Sequence, residues 1–258
     1  MTTDPCNLEA VVNVSEGRRR SVIEALVEAA GPDLLDLHVD ADHHRSVLTL
    51  VGEEASRRIA EVAVARIDLR RHRGVHPRIG ALDVVPFVPL DGSTIDDAVA
   101  ARDRFVLWME ATLRVPCVAY GPGRPTLPEL RRTARRSVLP HPTAGVTAVG
   151  ARGVLVAYNV LLASHDLAAA ERIASEVRSP AVRALGFATR EGVQVSMNLI
   201  DPAAVGVADA FDAVAARAPV TRAELVGLIP RWVLDAVPAD RWADLDLSED
   251  RTIEARLP

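Results

Sequence analysis

The sequence predicts an α+β sandwich with helices on one face of its sheet. Strand-like and helix-like segments alternate, yet short polar turns join some strand pairs directly, which a doubly wound parallel sheet does not allow. No repeat of fixed short period occurs, so a solenoid is excluded. The 258 residues, 49% hydrophobic and 25% charged, suffice for a sizeable core in one large or two small domains.

Leu8 to Val14 is an apolar run suited to a buried strand, ending in Ser15-Glu16-Gly17. From Arg18 to Ala30 the apolar residues Val22, Ile23, Leu26, Val27 and Ala30 fall at helical spacing, and Gly31-Pro32 stops the helix. Strands at Leu34–Val39 and Ser46–Val51 flank the polar turn Asp40-Ala41-Asp42-His43-His44 and are expected to pair antiparallel. Glu53 to Leu69 is an amphipathic helix facing inward through Ile59, Val62, Ala63 and Ile67. A strand at Leu82–Leu90 precedes a helix capped by Thr94, with Asp96 and Asp97 in its first turn, running to about Leu113. Pro116–Tyr120 is a further strand, and 121–142 is irregular apart from a short helix near Leu127–Arg136. Val146–Leu162 forms two strands about Gly150–Gly153, Leu167–Val177 a helix, and Ser179-Pro180 a linker. Beyond it come a hairpin (Val182–Ala188 and Gln194–Ile200), a helix at Gly206–Ala218, the segment Ala223–Pro230, a short helix from Arg231, and a charged tail from Pro238 expected to be peripheral.

All 30 basic residues are arginine, which removes Schiff-base chemistry and a P-loop lysine. The net charge of −5 opposes broad nucleic-acid binding, and the Arg124, Arg131, Arg132, Arg135, Arg136 cluster lacks interleaved aromatics. No apolar run approaches the roughly 20 residues needed to span a bilayer, and Met1–Pro5 lacks the basic and apolar regions of a secretory signal. With only Cys6 and Cys117, no disulfide framework is implied and a cytoplasmic location is expected.

The most informative stretch is Gly74-Val75-His76-Pro77-Arg78-Ile79-Gly80-Ala81-Leu82-Asp83. Gly74, Pro77 and Gly80 break any helix, so His76 is displayed on a turn, either as a proton carrier or as an ordinary turn residue. His72 lies four residues before His76, and His43-His44 follow His38, which raises the question of a metal. Gly74 interrupts the helix such a pair needs and no Glu lies between them, so no metal is expected. Asn13-Val14-Ser15-Glu16-Gly17-Arg18 sits at a strand-to-helix junction, where Ser15 and backbone N–H groups either hold an anion or cap the helix. The small-residue strand ending in Arg152 lets a flat ring approach the backbone, or simply packs closely.

Taken in order, Val12–Arg18, Val39–Asp42, Gly74–Pro86, Gly145–Arg152, Val156–Asn159, Val193–Leu199 and Ala223–Pro230 resemble glutamate formiminotransferase, the folate enzyme of histidine breakdown that also forms the N-terminal part of formiminotransferase-cyclodeaminase. The resemblance implies two ferredoxin-like α/β-sandwich subdomains facing each other across a cleft, here 1–178 and 179–258. It implies transfer of the formimino group from N-formimino-L-glutamate to nitrogen 5 of tetrahydrofolate, the co-substrate, with release of glutamate. His76 falls on the family's catalytic histidine, with Asp40 and Glu224 as polar active-site residues. Asn13, Ser15, Arg18, Arg45, Arg78, Gly145, Thr147, Gly150, Arg152, Asn159, Gln194 and Asn198 are then expected to contact substrate or folate. Val75 stands where the family often carries Glu, His44 where Asn is usual, and an apolar residue near Leu161 where a second Asn is expected. Formyl transfer between glutamate and tetrahydrofolate, and a folate-binding paralogue without turnover, are the alternatives. Asp40 also reads as a turn aspartate bonding its own backbone, and Glu224 as an exposed carboxylate at a helix start. Exposed strand edges in the smaller subdomain favour a homodimer.

Overall fold

A computed structural model describes residues 7–74 and 78–257, without the side chains of 133–137. His76, with Val75 and Pro77, lies outside the described residues. The chain divides into two compact units, Met1–Gly153 and Val154–Pro258.

The first unit runs β1 (Leu8–Val14), α1 (Arg20–Ala30), β2 (Leu34–Asp40), β3 (Arg45–Val51), α2 (Glu53–Arg66), β4 (Leu82–Pro89), α3 (Ile95–Trp108), β5 (Cys117–Tyr120), α4 (Leu127–Ser137) and β6 (Thr147–Ala151). Its sheet has the order β2-β3-β1-β4-β6-β5. The first four strands pair antiparallel, whereas β6 lies parallel to both β4 and β5. The β1-α1-β2-β3-α2-β4 segment is thus a ferredoxin-like βαββαβ motif, widened by two strands and α3. Alternation along β1 sends Leu8, Ala10, Val12 and Val14 into one core with Val22 and Leu26 of α1, Ala55, Ile59 and Ala63 of α2, and Phe105 of α3. Phe105 meets Phe87 edge to face, with centroids 5.8 Å apart. A smaller core of Val84, Tyr120, Leu130, Val146 and Ala148 covers part of the opposite face.

Among the boundaries that differ from expectation, those of α1 and α3 have clear local reasons. Helix α1 starts at Arg20 rather than Arg18, because Arg19 is the extended N-cap residue and the preceding N–H groups bond elsewhere. Helix α3 ends at Trp108 and continues as a wide turn, Met109–Leu113, closed by Arg114 in the left-handed region (φ 55°).

The second unit runs β7 (Val156–Leu162), α5 (Leu167–Val177), β8 (Val182–Thr189), β9 (Gly192–Leu199), α6 (Val207–Ala215) and β10 (Val220–Val226), then α7 (Arg231–Asp235) and α8 (Ile253–Arg256). Its antiparallel sheet has the order β10-β7-β9-β8, which repeats the connectivity of the first motif. This repetition explains why the division falls after Gly153 and not at the expected 178/179. Strand β7 and helix α5 open the second βαββαβ motif, and a cut at Ser179 would remove a central strand of its sheet. The tail is not peripheral either. Leu245, Leu247 and Ile253 are buried in the second core, the Tyr158 hydroxyl donates to Leu245 O at 2.9 Å, and Thr252 bridges to Ile229 in parallel.

Helix α5 lies so close to β8 that a Cβ on Gly186 would sit 2.5 Å from the backbone nitrogen of Glu171. Backbone cannot yield as a flexible side chain can, so Gly186→Ala is expected to lift the helix and cost roughly 1–3 kcal/mol. Urea unfolding of the purified variant measures it; an unchanged midpoint would show that the sheet accommodates the methyl.

Candidate active site

The first predicted site segment folds around a carboxylate that sequence reasoning passed over. Glu16 is fully buried, and its Oε1 accepts the backbone N–H groups of Gly17 (3.1 Å), Arg18 (2.9 Å) and Arg19 (2.9 Å). Its Oε2 accepts from Arg19 Nε at 2.6 Å. Burial alone would raise this carboxyl group; the three N–H donors and the guanidinium outweigh it and hold the pKa below the ordinary value. The donors expected to bind an external anion are therefore filled by the protein's own side chain. Ser15 neither caps the helix nor faces solvent, since its buried hydroxyl donates to Gly80 O at 2.7 Å. Arg18 is exposed and donates to Ala41 O, and Asn13 donates to Val11 O.

The β2–β3 turn docks on this junction. A Cβ on Gly17 would lie 2.3 Å from Asp40 O and 2.7 Å from Arg45 N, so only glycine lets the two segments meet. Asp40 Oδ1 accepts from the N–H groups of Asp42 and His43, both at 2.8 Å, and its Oδ2 bonds the buried His43 ring. Burial opposes this carboxylate's charge, but His43 and the turn N–H groups hold its pKa far below the usual range. Asp40 thus organises the turn through its own backbone, as a turn aspartate does. Burial also presses on the charge of Arg45, while Asp40 and Asp83 support it.

The flanks of residues 75–77 pack on the same turn. The His72 and His44 rings stack with centroids 4.0 Å apart and planes at 27°. Arg78 bonds the His72 ring and donates to His43 O at 3.1 Å. A Cβ on Gly74 would meet His43 O and the His44 side chain at 2.8 Å. Asp83, buried at the start of β4, accepts the N–H groups of Ile79 (2.6 Å) and Gly80 (3.2 Å) and a hydrogen bond from Arg131. Asp40, Arg18, Arg45 and Arg78 are therefore brought to one region of the first unit.

The strand residues behind this region do structural work. Gly145, at φ 73°, bonds the backbone of His141, and a Cβ there would lie 2.3 Å from Ile79 O. Thr147 is fully buried and donates to Leu82 O. A flat ring does lie on Gly150, but it belongs to Tyr120, whose Cζ would sit 2.1 Å from an added Cβ. Arg152 donates to Gly153 O. In the arginine cluster, Arg131 pairs with Asp83 and Arg124 and Arg132 are exposed; the side chains of Arg135 and Arg136 lie outside the described residues.

In the second unit three predicted residues meet. Glu224 faces Asn159 across β10 and β7, and Asn159 faces Ser196 across β7 and β9. Asn159 Nδ2 donates to Glu224 Oε2 at 2.8 Å, Ser196 donates to Asn159 Oδ1, and Gln194 donates to Ser196 at 3.3 Å. Glu224 lies within a strand and not at a helix start. Asn198 is exposed, further along the same face of β9. This row, with carboxylate, carboxamide and hydroxyl groups on one face, can present both donors and acceptors to a polar heterocycle or an amidine.

Glu16, His44, His72, Asp83, Arg131 and Ser196 join these clusters in the structure, although the sequence did not single them out as catalytic or binding residues. A carboxylate just ahead of a helix signals a Glu16-type anchor, and the alternation Gln194, Ser196, Asn198 signals a shared strand face. The His44–His72 contact has no local signal. Among the described residues no group of three or more His, Cys, Asp or Glu side chains converges as metal ligands, and no helix is long and apolar enough to cross a membrane.

Residues 7–152, nearly the whole first unit, match the family model described as the formiminotransferase domain, N-terminal subdomain. The chain is 33% identical over 265 residues to glutamate formimidoyltransferase of Streptococcus pyogenes serotype M1, covering 86% of this chain and 89% of that protein. The glutamate formimidoyltransferase of Thermoplasma acidophilum is 32% identical over 270 residues, covering 88% and 89%. The formimidoyltransferase-cyclodeaminase of Sus scrofa is 34% identical over 280 residues, which takes in 89% of this chain and 51% of that protein. The present chain thus spans about half the length of that two-activity relative. Sequence likeness and the paired βαββαβ units agree, and the chain belongs to the formiminotransferase family.

Proposed function

We propose that this chain transfers the formimino group of N-formimino-L-glutamate to nitrogen 5 of tetrahydrofolate and releases glutamate. One observation carries the reading: the likeness runs along almost the full length of relatives that bear the name glutamate formimidoyltransferase. The tetrahydrofolate amine attacks the amidine-like carbon and loses a proton, and the departing glutamate nitrogen gains one. A single neutral imidazole can perform both transfers in turn, the role given to His76. The packing of Gly74 and Arg78 against the β2–β3 turn, which also carries Asp40 and Arg45, supports that role. Arg18, Arg45 and Arg78 supply cationic character for the carboxylates of the amino-acid substrate.

In the second unit, Glu224 polarises the formimino nitrogen and Asn159 holds the carboxylate in place, with Gln194 and Ser196 completing the row. The chain acts in the cytoplasm, in keeping with its two cysteines. The open end strands β8 and β10 support pairing of two copies.

Replacing His76 by Ala is expected to lower kcat by roughly 10²–10⁴-fold, read as glutamate release from formiminoglutamate and tetrahydrofolate; wild-type turnover in a folded variant would remove His76 from the reaction. Glu224→Gln preserves size and an acceptor for Asn159 but removes the charge, so kcat is expected to fall by about 10²-fold without loss of thermal stability. Steady-state kinetics beside a melting curve check this, and a change confined to the melting temperature would leave Glu224 a purely structural part.

A further inference from the structure

We propose that His44 and His72 are positioning residues: their stacked, uncharged rings hold the flanks of residues 75–77 on the β2–β3 turn, and protonation of either ring releases that hold. The inference rests on the transferase reading for its kinetic readout alone.

The contacts around both rings suit the uncharged state. His44 sits at φ 52°, in the left-handed region that most L-residues avoid but that Asn, Asp and His tolerate. From there its Nδ1 shares the Gly17 N–H with Glu16 Oε1, accepting it at 3.0 Å, and an accepting nitrogen carries no proton. That carboxylate oxygen lies 3.5 Å from the same Nδ1 and is the nearby group that favours a charged ring. Nδ1 of His72 faces Arg78 Nη1, which can only donate, so that nitrogen is unprotonated too. The His72 proton then lies on Nε2, 3.2 Å from His44 O. Each ring therefore bonds as a neutral group, and the stack joins residues 28 positions apart.

The charges around the pair favour that state. Glu16, Arg18 and Arg19 face it from the β1–α1 junction, Arg78 from the far flank, and Asp40, His43 and Arg45 share its turn. Burial lowers the His44 pKa; Glu16 opposes this, and Arg18, Arg78 and Arg19 add to it. Burial, Arg78 and His44 push His72 down to about 4. Protons thus bind more tightly once the rings are released. The hold is complete above the ordinary histidine value of 6.5 and is lost progressively as pH falls toward about 4. For each proton taken up, the opening equilibrium rises by up to about tenfold per pH unit across that window.

Amide exchange by NMR tests the hold on the whole chain, using the N–H groups of Gly17 and His72 as reporters and those in the middle of β1 as reference. The informative variant is His44→Asn, since Asn tolerates the left-handed backbone and offers an oxygen to Gly17, but neither stacks nor titrates. In the wild type, protection at the reporters is expected to fall below about pH 6.5 by up to about tenfold per pH unit, after correction for intrinsic exchange, while β1 keeps its protection. In the variant, His72 is expected to be less protected already near pH 7.5, with kcat lowered, KM unchanged and a kcat–pH profile displaced on its acid side. Wild-type reporter protection that stays flat down to about pH 4.5 overturns the proposal, as does a variant matching the wild type in both exchange and pH profile. A wild-type protein that releases no glutamate yet shows the expected exchange pattern overturns the transferase reading and leaves the hold standing.

Discussion

A carboxylate withdrawn from water survives as an ion only when hydrogen bonds replace its hydration. Glu16 meets that condition with three consecutive backbone N–H groups and one guanidinium. The consequences spread from there. The end of β1 is tied to the start of α1, Gly17 is held where the β2–β3 turn can lie against it, and that turn becomes the surface on which the flanks of residues 75–77 pack. Removing the carboxylate would leave buried donors unsatisfied in the part of the molecule where positions matter most.

The two units use one connectivity for different ends. In the first, the βαββαβ sheet is widened by β6 and β5, and the chemistry-bearing groups gather at loops and turns around its rim. In the second, the unwidened sheet keeps its helices on one face and lays Glu224, Asn159, Ser196 and Gln194 along the other. Loops are suited to aiming a single proton-transferring group, whereas cross-strand rows set donors and acceptors at a fixed pitch.

Elements with strong periodicity were legible from the sequence. The buried strand at β1, the Thr94 cap and the helical spacing of Val22, Leu26 and Ala30 all reappear where expected. The reading failed where a long-range partner overrode the local pattern. Ser15-Glu16-Gly17 reads as either an anion site or a helix cap, because nothing local says that Glu16 turns back on its own N–H groups. The tail from Pro238 looked peripheral because its charged residues outnumber Leu245, Leu247 and Ile253, which are buried. A limit at 178/179 follows the resemblance and the Ser179-Pro180 linker, whereas the repeated βαββαβ order puts the break before β7.

By itself, the sequence determined the element types, the α+β class, the absence of lysine chemistry and the family segments, because these depend on residues close together along the chain. Only the tertiary structure decided which donor meets which acceptor. His72 reaches the carbonyl of His44 across 28 positions, Arg131 reaches Asp83 across 48, and Asn159 reaches Glu224 across 65. Such pairings follow from sheet register and loop docking. Periodicity names the face on which a residue lies but leaves its neighbour open until the strands have chosen their order.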